Sequence, residues 1–154
     1  MGAYYGDSSA LVKRYANETG TRWVRSLSDP QAGHAMFTAH ITGIEVVAAI
    51  ARKTRLGEMT VDDATTAIRT FKSHFTTQYR IVVLTTAIVE RAMALAEQHT
   101  LRGYDAAQLA SALVLHAELA ASGVSALVFL SADTALNEVA RVEHLSVQNP
   151  NDHP

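Results

Sequence analysis

Cysteine is absent from the 154 residues, which excludes a disulfide framework, a CxxC redox pair and any thiolate-held zinc or iron–sulfur centre. Proline is scarce, with three residues of which two fall in the last five. No apolar run approaches the roughly 18 residues of a spanning helix. The most apolar uncharged stretch, Leu119 to Ala132, contains Ser122, Gly123 and Ser125 and reads as helix end, turn and strand. No secretory leader is expected, because Lys13 and Arg14 follow the first apolar stretch and Asp7 interrupts it. Charge is also low. Asp, Glu, Lys and Arg make up 18% of the chain, against roughly 25% in an average globular domain. The net charge of −2 speaks against a protein that binds nucleic acid by bulk attraction. Together these absences predict a soluble, cytoplasmic protein without membrane contact.

What is present is a core. Hydrophobic residues reach 48% over 154 positions, enough for one folded domain, here expected over residues 1–149 with a short C-terminal tail at 150–154. Short apolar runs alternate with helical patterns. Strands are expected at Ala3–Gly6, Ala35–Thr38, Arg80–Leu84, Ala126–Leu130 and Leu145–Val147. Helices are expected from Ser8 to about Asn17, at Thr21–Leu27, Thr42–Leu56, from Thr60, from about Ala87 to His99, at Ala106–Ala121 and at Thr134–Val142. Thr60 is set as an N-cap and Gly57 and Gly123 as helix stops. Strands alternating with helices over one domain imply an α/β fold with a mostly parallel sheet.

In such sheets ligands bind beyond the carboxyl ends of the strands, and four acids stand near those ends. Asp7 follows the first strand, Glu45 lies in the first turn of the helix after the second, Asp105 opens the Ala106 helix, and Asp133 follows the apolar strand. Singly, each acid suits a plain helix cap, worth about 0.5–2 kcal/mol, and Thr42 with Glu45 has capping-box spacing. All four at one end of a sheet would repel one another unless a cation sits among them. A hard ion such as Mg2+ takes oxygen ligands and keeps several waters, and it assists in-line displacement at a phosphodiester. Ser8, Ser9 and Ser131 supply hydroxyls to orient water or carboxylates. The seven histidines have no HExxH spacing, and there is no GxSxG elbow, Walker loop or GxGxxG. A receiver domain wants a late lysine, yet none follows Lys72, and a haloacid-dehalogenase phosphatase wants an Asp where Ser9 stands.

Tyr5-Gly6-Asp7-Ser8-Ser9-Ala10-Leu11-Val12-Lys13 resembles the opening of PIN-domain nucleases, especially VapC-type toxins of bacterial type II toxin–antitoxin systems. Thr42-Gly43-Ile44-Glu45-Val46, Leu101 to Ala110, and Phe129-Leu130-Ser131-Ala132-Asp133 resemble later family segments in the same order. The resemblance implies a three-layer α/β/α domain with a five-stranded, mostly parallel sheet. It also implies Mg2+- or Mn2+-dependent cleavage of RNA, a cognate VapB-like antitoxin and a homodimer. Asp7, Glu45, Asp105 and Asp133 would be the catalytic, metal-holding tetrad, with Ser8 and Ser131 in support. Gly6 departs from the bulky aliphatic residue common there. A PIN-fold protein that binds RNA or a partner without nuclease activity is the alternative.

Charge is unevenly distributed along the chain. Residues 1–102 hold 12 basic and 9 acidic side chains, and residues 103–154 hold 1 and 6. A mildly basic front thus precedes an acidic back. Lys13, Arg14, Arg52, Lys53 and Arg55 are the candidate contacts for RNA phosphates, with solvated helix faces as the plain alternative. Tyr4, Tyr5 and Tyr104 read as packing residues rather than base-stacking platforms.

Overall fold

Strands whose odd and even residues are both apolar must be covered on both faces, and the computed structural model follows that rule over its described residues, 1–124 and 126–154. The turn expected at Ser125 lies outside them. The chain runs β1 (Ala3–Gly6), α1 (Ser8–Leu11), α2 (Thr21–Ser28), β2 (Ala35–Ala39), α3 (His40–Arg55) and α4 (Val61–Thr77). It continues through β3 (Arg80–Val82), α5 (Thr86–His99), α6 (Gly103–Ala121), β4 (Leu127–Leu130), α7 (Thr134–Val142) and β5 (Ser146–Gln148). The sheet order is β3-β2-β1-β4-β5, and every pairing is parallel.

Alternation sends side chains into two cores. Ala3, Tyr5, Phe37, Leu127 and Phe129 meet Leu95 of α5, Leu109 of α6 and Leu136 of α7 on one face. Met36 and Leu130 meet Leu11, Val46, Ile50 and Phe71 from α1, α3 and α4 on the other. The three-layer arrangement expected from the sequence is therefore present.

Several boundaries differ, each for a local reason. The first helix ends at Leu11 and tightens into a 3₁₀ turn over Val12–Arg14; this turn lets Lys13 reach Glu18 at 3.2 Å. β3 stops at Val82 because β2 ends opposite it at Ala39, leaving Val83 and Leu84 exposed. β4 begins at Leu127, where pairing with Ala3 begins. Leu145 stays outside β5 because its amide bonds the Ala140 carbonyl.

Gly6 fits its surroundings. A Cβ there would stand 2.6 Å from Leu11 Cδ2, so the Leu11 side chain occupies the space that a bulky residue would need. Gly20 is more constrained still. Its φ is +86°, and a Cβ would stand 2.3 Å from the Pro150 carbonyl oxygen. That contact belongs to the C-terminal segment, where a 3₁₀ turn spans Pro150–Asp152 and His153 stacks on Trp23 at 3.9 Å. We expect Gly20→Ala to cost about 1–3 kcal/mol, from left-handed strain plus displacement of Pro150. Urea denaturation measures the loss, and the Trp23 emission should change because the stack opens.

Candidate active site

The chain leaves β1 outward through β2 to β3, then crosses back to β4 on the other side of β1. The crevice between the carboxyl ends of β1 and β4 is thus the switch point at which open α/β sheets bind ligands. Asp7 sits there, 4% exposed, with its amide on the Leu130 carbonyl at 3.0 Å. Its Oδ1 accepts Ser9 Oγ at 2.7 Å and the Ala10 amide at 3.0 Å. Ser9 Oγ also receives the Ala132 amide at 2.8 Å and lies 3.3 Å from Ser131 Oγ. Ser131 in turn caps the Asp133 amide at 3.1 Å and holds Asn137 through its carbonyl at 2.8 Å. Serine hydroxyls therefore stitch the two strand ends together.

Asp7 and Asp133 are N-caps, of α1 and α7, and Asp133 Oδ1 accepts the Leu136 amide at 3.0 Å. Glu45 and Asp105 are not. α3 starts at His40, two residues earlier than expected, which moves Glu45 out of the first turn. The capping box expected for Thr42 and Glu45 does not form, because the helix cap is Ala39 and no side chain bonds it. α6 likewise starts at Gly103, so Asp105 stands inside the first turn, uncapped by any side chain. Glu45 is thus released from any helix-end role, while Asp105 caps nothing but keeps the first-turn position that favours an acid.

Glu45 is held by a buried polar network. Gln108 Nε2 donates to its Oε1 at 2.6 Å, and Ser8 Oγ donates to its Oε2 at 3.1 Å. Gln108 also receives the Tyr5 hydroxyl at 2.7 Å and donates to Thr42 Oγ1 at 2.9 Å. Reading the sequence assigned no role to Gln108. The available signal was its position three residues after Asp105 on one helix face. Asp105 is the loosest of the acids, with the exposed Arg102 guanidinium 3.7 Å away.

The acids feel one another in sequence: Asp7 senses Glu45, Glu45 senses Asp105, and Asp105 senses Asp133. Burial is the main reason that Asp7 is pushed up to about 6. Burial also raises Glu45, despite its two donors, and raises Asp105, with the neighbouring charge adding to each. They form a row rather than a cage: among the described residues no three His, Asp or Glu side chains are grouped as a metal site. All-oxygen donors that repel one another suit a hydrated hard cation, which needs few direct protein ligands.

The basic candidates separate into two sets. Lys13 is buried and paired with Glu18, and Arg14 is tied to Tyr79 at 3.1 Å and Gln78 at 2.7 Å. Lys53 pairs with Glu18 and with Glu58. Arg52 and Arg55 are exposed and enter no ion pair among the described residues.

Comparison with known proteins bears on the family of the chain. The PIN domain family model matches residues 4–142. Ribonuclease VapC45 of Mycobacterium tuberculosis (strain CDC 1551 / Oshkosh) is 36% identical over 115 residues, covering 75% of this chain and 78% of that protein. Among solved structures, the Pyrobaculum aerophilum protein PAE2754 has a TM-score of 0.62 at 18% identity, covering 98% of this chain and 91% of that one. A toxin–antitoxin complex from Klebsiella pneumoniae has a TM-score of 0.61 at 19% identity, covering 97% and 98%. Because the family model spans the whole carboxylate row and the VapC45 match covers 75% of the chain, this protein belongs to the PIN-domain family and, within it, to the VapC group.

Proposed function

We propose that this chain is an Mg2+- or Mn2+-dependent endoribonuclease, the toxin of a toxin–antitoxin pair neutralised by a VapB-like antitoxin. One observation carries the reading. Glu45 and Asp105 cap no helix, yet they continue the line of charge that begins at buried Asp7 and ends at Asp133. The ribonuclease name of the VapC45 relative and the toxin–antitoxin title of the Klebsiella structure support it. The exposed apolar Val83, Leu84, Val89 and Met93 support a homodimer. No helix among the described residues is long and apolar enough to cross a membrane, in keeping with the cytoplasmic location proposed for a toxin of this kind.

Asp7, Glu45, Asp105 and Asp133 would hold the ion, partly through its waters. When bound it supplies positive charge against the phosphodiester and its transition state. The chain's own residues orient and accept. Ser9 and the Ala10 amide fix the carboxyl plane of Asp7, while Gln108 and Ser8 fix both oxygens of Glu45. In hydrolysis a water oxygen bonds to phosphorus, the bond to the leaving ribose oxygen breaks, the water proton passes to the carboxylate row, and the leaving oxygen takes up a proton from solvent to become a hydroxyl. Incubating purified protein with total RNA and Mn2+, with EDTA as control, tests the reading. Chelator-sensitive fragments are expected. Intact RNA in both arms overturns it and leaves a protein that binds RNA or a partner without nuclease activity.

A further inference from the structure

Burying an asparagine costs stability unless both halves of its amide are paired, and in Asn137 one half is not. The side chain lies in α7 and is 1% exposed. Its Oδ1 has no hydrogen-bond partner among the described residues. Its Nδ2 donates to the Ser131 carbonyl at 2.8 Å. Turning the amide over would set Oδ1 against that carbonyl oxygen, so the donor is fixed in place. A leucine would fill the site without a bare oxygen. The bond to Ser131 is therefore what the amide contributes.

That bond opens a series of donors that all point one way. The Ser131 carbonyl and the Ala132 N–H belong to one peptide group, and the Ala132 amide donates to Ser9 Oγ at 2.8 Å. Ser9 Oγ donates in turn to Asp7 Oδ1 at 2.7 Å. Amide, peptide, hydroxyl and carboxylate are thus joined donor to acceptor from α7 to the end of β1. Bonds in such a chain polarise one another, each gaining about 10–30% in strength. The last of them matters to Asp7, which is buried and whose Oδ1 otherwise receives the Ala10 amide.

We infer that Asn137 is a positioning residue for Asp7, acting through the Ser131–Ala132 peptide and Ser9. It sets the tilt of the peptide, the peptide aims the Ser9 hydroxyl, and Ser9 holds the carboxyl plane. This role deepens the nuclease reading and rests on it for the ion that Asp7 holds.

Mn2+ binding is measured by calorimetry for the parent, Asn137→Leu, Ser9→Ala and the double variant, below the unfolding midpoint of all four. Asn137→Leu should weaken binding by about 2–12-fold, the span of one neutral hydrogen bond. Ser9→Ala should weaken it at least as much. Adding Asn137→Leu to Ser9→Ala should change nothing further, because the chain is already cut. Asn137→Ala takes the place of the leucine variant if that one does not fold. At saturating Mn2+ the KM for RNA in Asn137→Leu should match the parent. Parental Mn2+ affinity in Asn137→Leu overturns the inference. Losses that multiply in the double variant also overturn it and leave Asn137 to the packing of α7. If the parent binds Mn2+ but leaves RNA intact, the nuclease reading fails while the affinities still decide the role of Asn137. If the parent binds no Mn2+, the metal reading fails, and the same cycle in metal-free unfolding midpoints decides. A smaller effect of Asn137→Leu on the Ser9→Ala background then supports the chain, and equal effects on both backgrounds overturn it.

Discussion

Replacing Asp7 by Asn should abolish RNA cleavage and make the metal-free protein more stable at neutral pH. The two effects have one cause. Burial pushes the folded Asp7 carboxyl from 3.8 to about 6. The folded state therefore keeps a proton that the unfolded chain has already released, and stability falls as pH rises between about 3.8 and 6. Above that window the ionised carboxylate costs up to about 3 kcal/mol. Asn caps a helix about as well as Asp and presents the same acceptor to the Ala10 amide, but it carries no charge. The midpoint of thermal unfolding at pH 7 should rise by about 4–10 °C, and the two proteins should converge below pH 4 where Asp7 is protonated in both states. Added Mn2+ should stabilise the parent by binding the folded form and leave Asp7→Asn little changed. Cleavage at the parental rate by Asp7→Asn would refute the catalytic assignment. Parallel pH–stability curves would refute the burial account.

Gln108→Leu should have the largest effect of any substitution outside the acids. Gln108 is 2% exposed, and it connects the hydroxyl of fully buried Tyr5 with Thr42 and Glu45. Leucine fills much of the volume but leaves the Tyr5 hydroxyl and Glu45 Oε1 without that partner. Each unsatisfied group costs about 1–3 kcal/mol, so the urea midpoint should fall by an amount equivalent to about 2–5 kcal/mol. Glu45 would also lose the donor that fixes its carboxylate. Residues that orient metal ligands in this way typically contribute about 10–100-fold to affinity or activity. Mn2+ binding by calorimetry should weaken accordingly, a reading independent of RNA cleavage. Gln108→Glu separates packing from charge. It keeps an acceptor for Tyr5 but sets a second carboxyl against Glu45, so its loss of stability should be greatest at neutral pH and shrink in acid. Equal Mn2+ affinity in Gln108→Leu and the parent would show that Gln108 is only a core residue.

Much of the fold was legible because its signals are local. β4 is a continuous apolar run, α4 has Thr60 bonded to the Asp63 amide as its cap, and Gly57 and Gly123 take the positive φ expected of helix stops. Boundaries were less legible where a partner strand or a neighbouring helix sets them. Val83 and Leu84 carry strand-like side chains and lack only a partner, since β2 ends at Ala39. Nothing near Glu45 in the sequence distinguishes a first-turn acid from a second-turn one, because the start of α3 at His40 has no side-chain cap to mark it.

The sequence alone determined the alternation of strands and helices, the two-sided burial of the sheet, and the presence of four acids near strand ends. These follow from periodicity and from residue types within a few positions of one another. The tertiary structure decided which acids are caps and which are free, that Gln108 holds Glu45, and that Tyr104 faces outward while Lys13 and Arg14 turn inward. Those outcomes depend on contacts between residues far apart in the chain, such as Gln108 with Glu45 and Arg14 with Tyr79. A side chain's charge or ring is fixed by its identity. Whether that group is spent inside the protein or left for a ligand is settled only by what the fold brings within hydrogen-bonding distance.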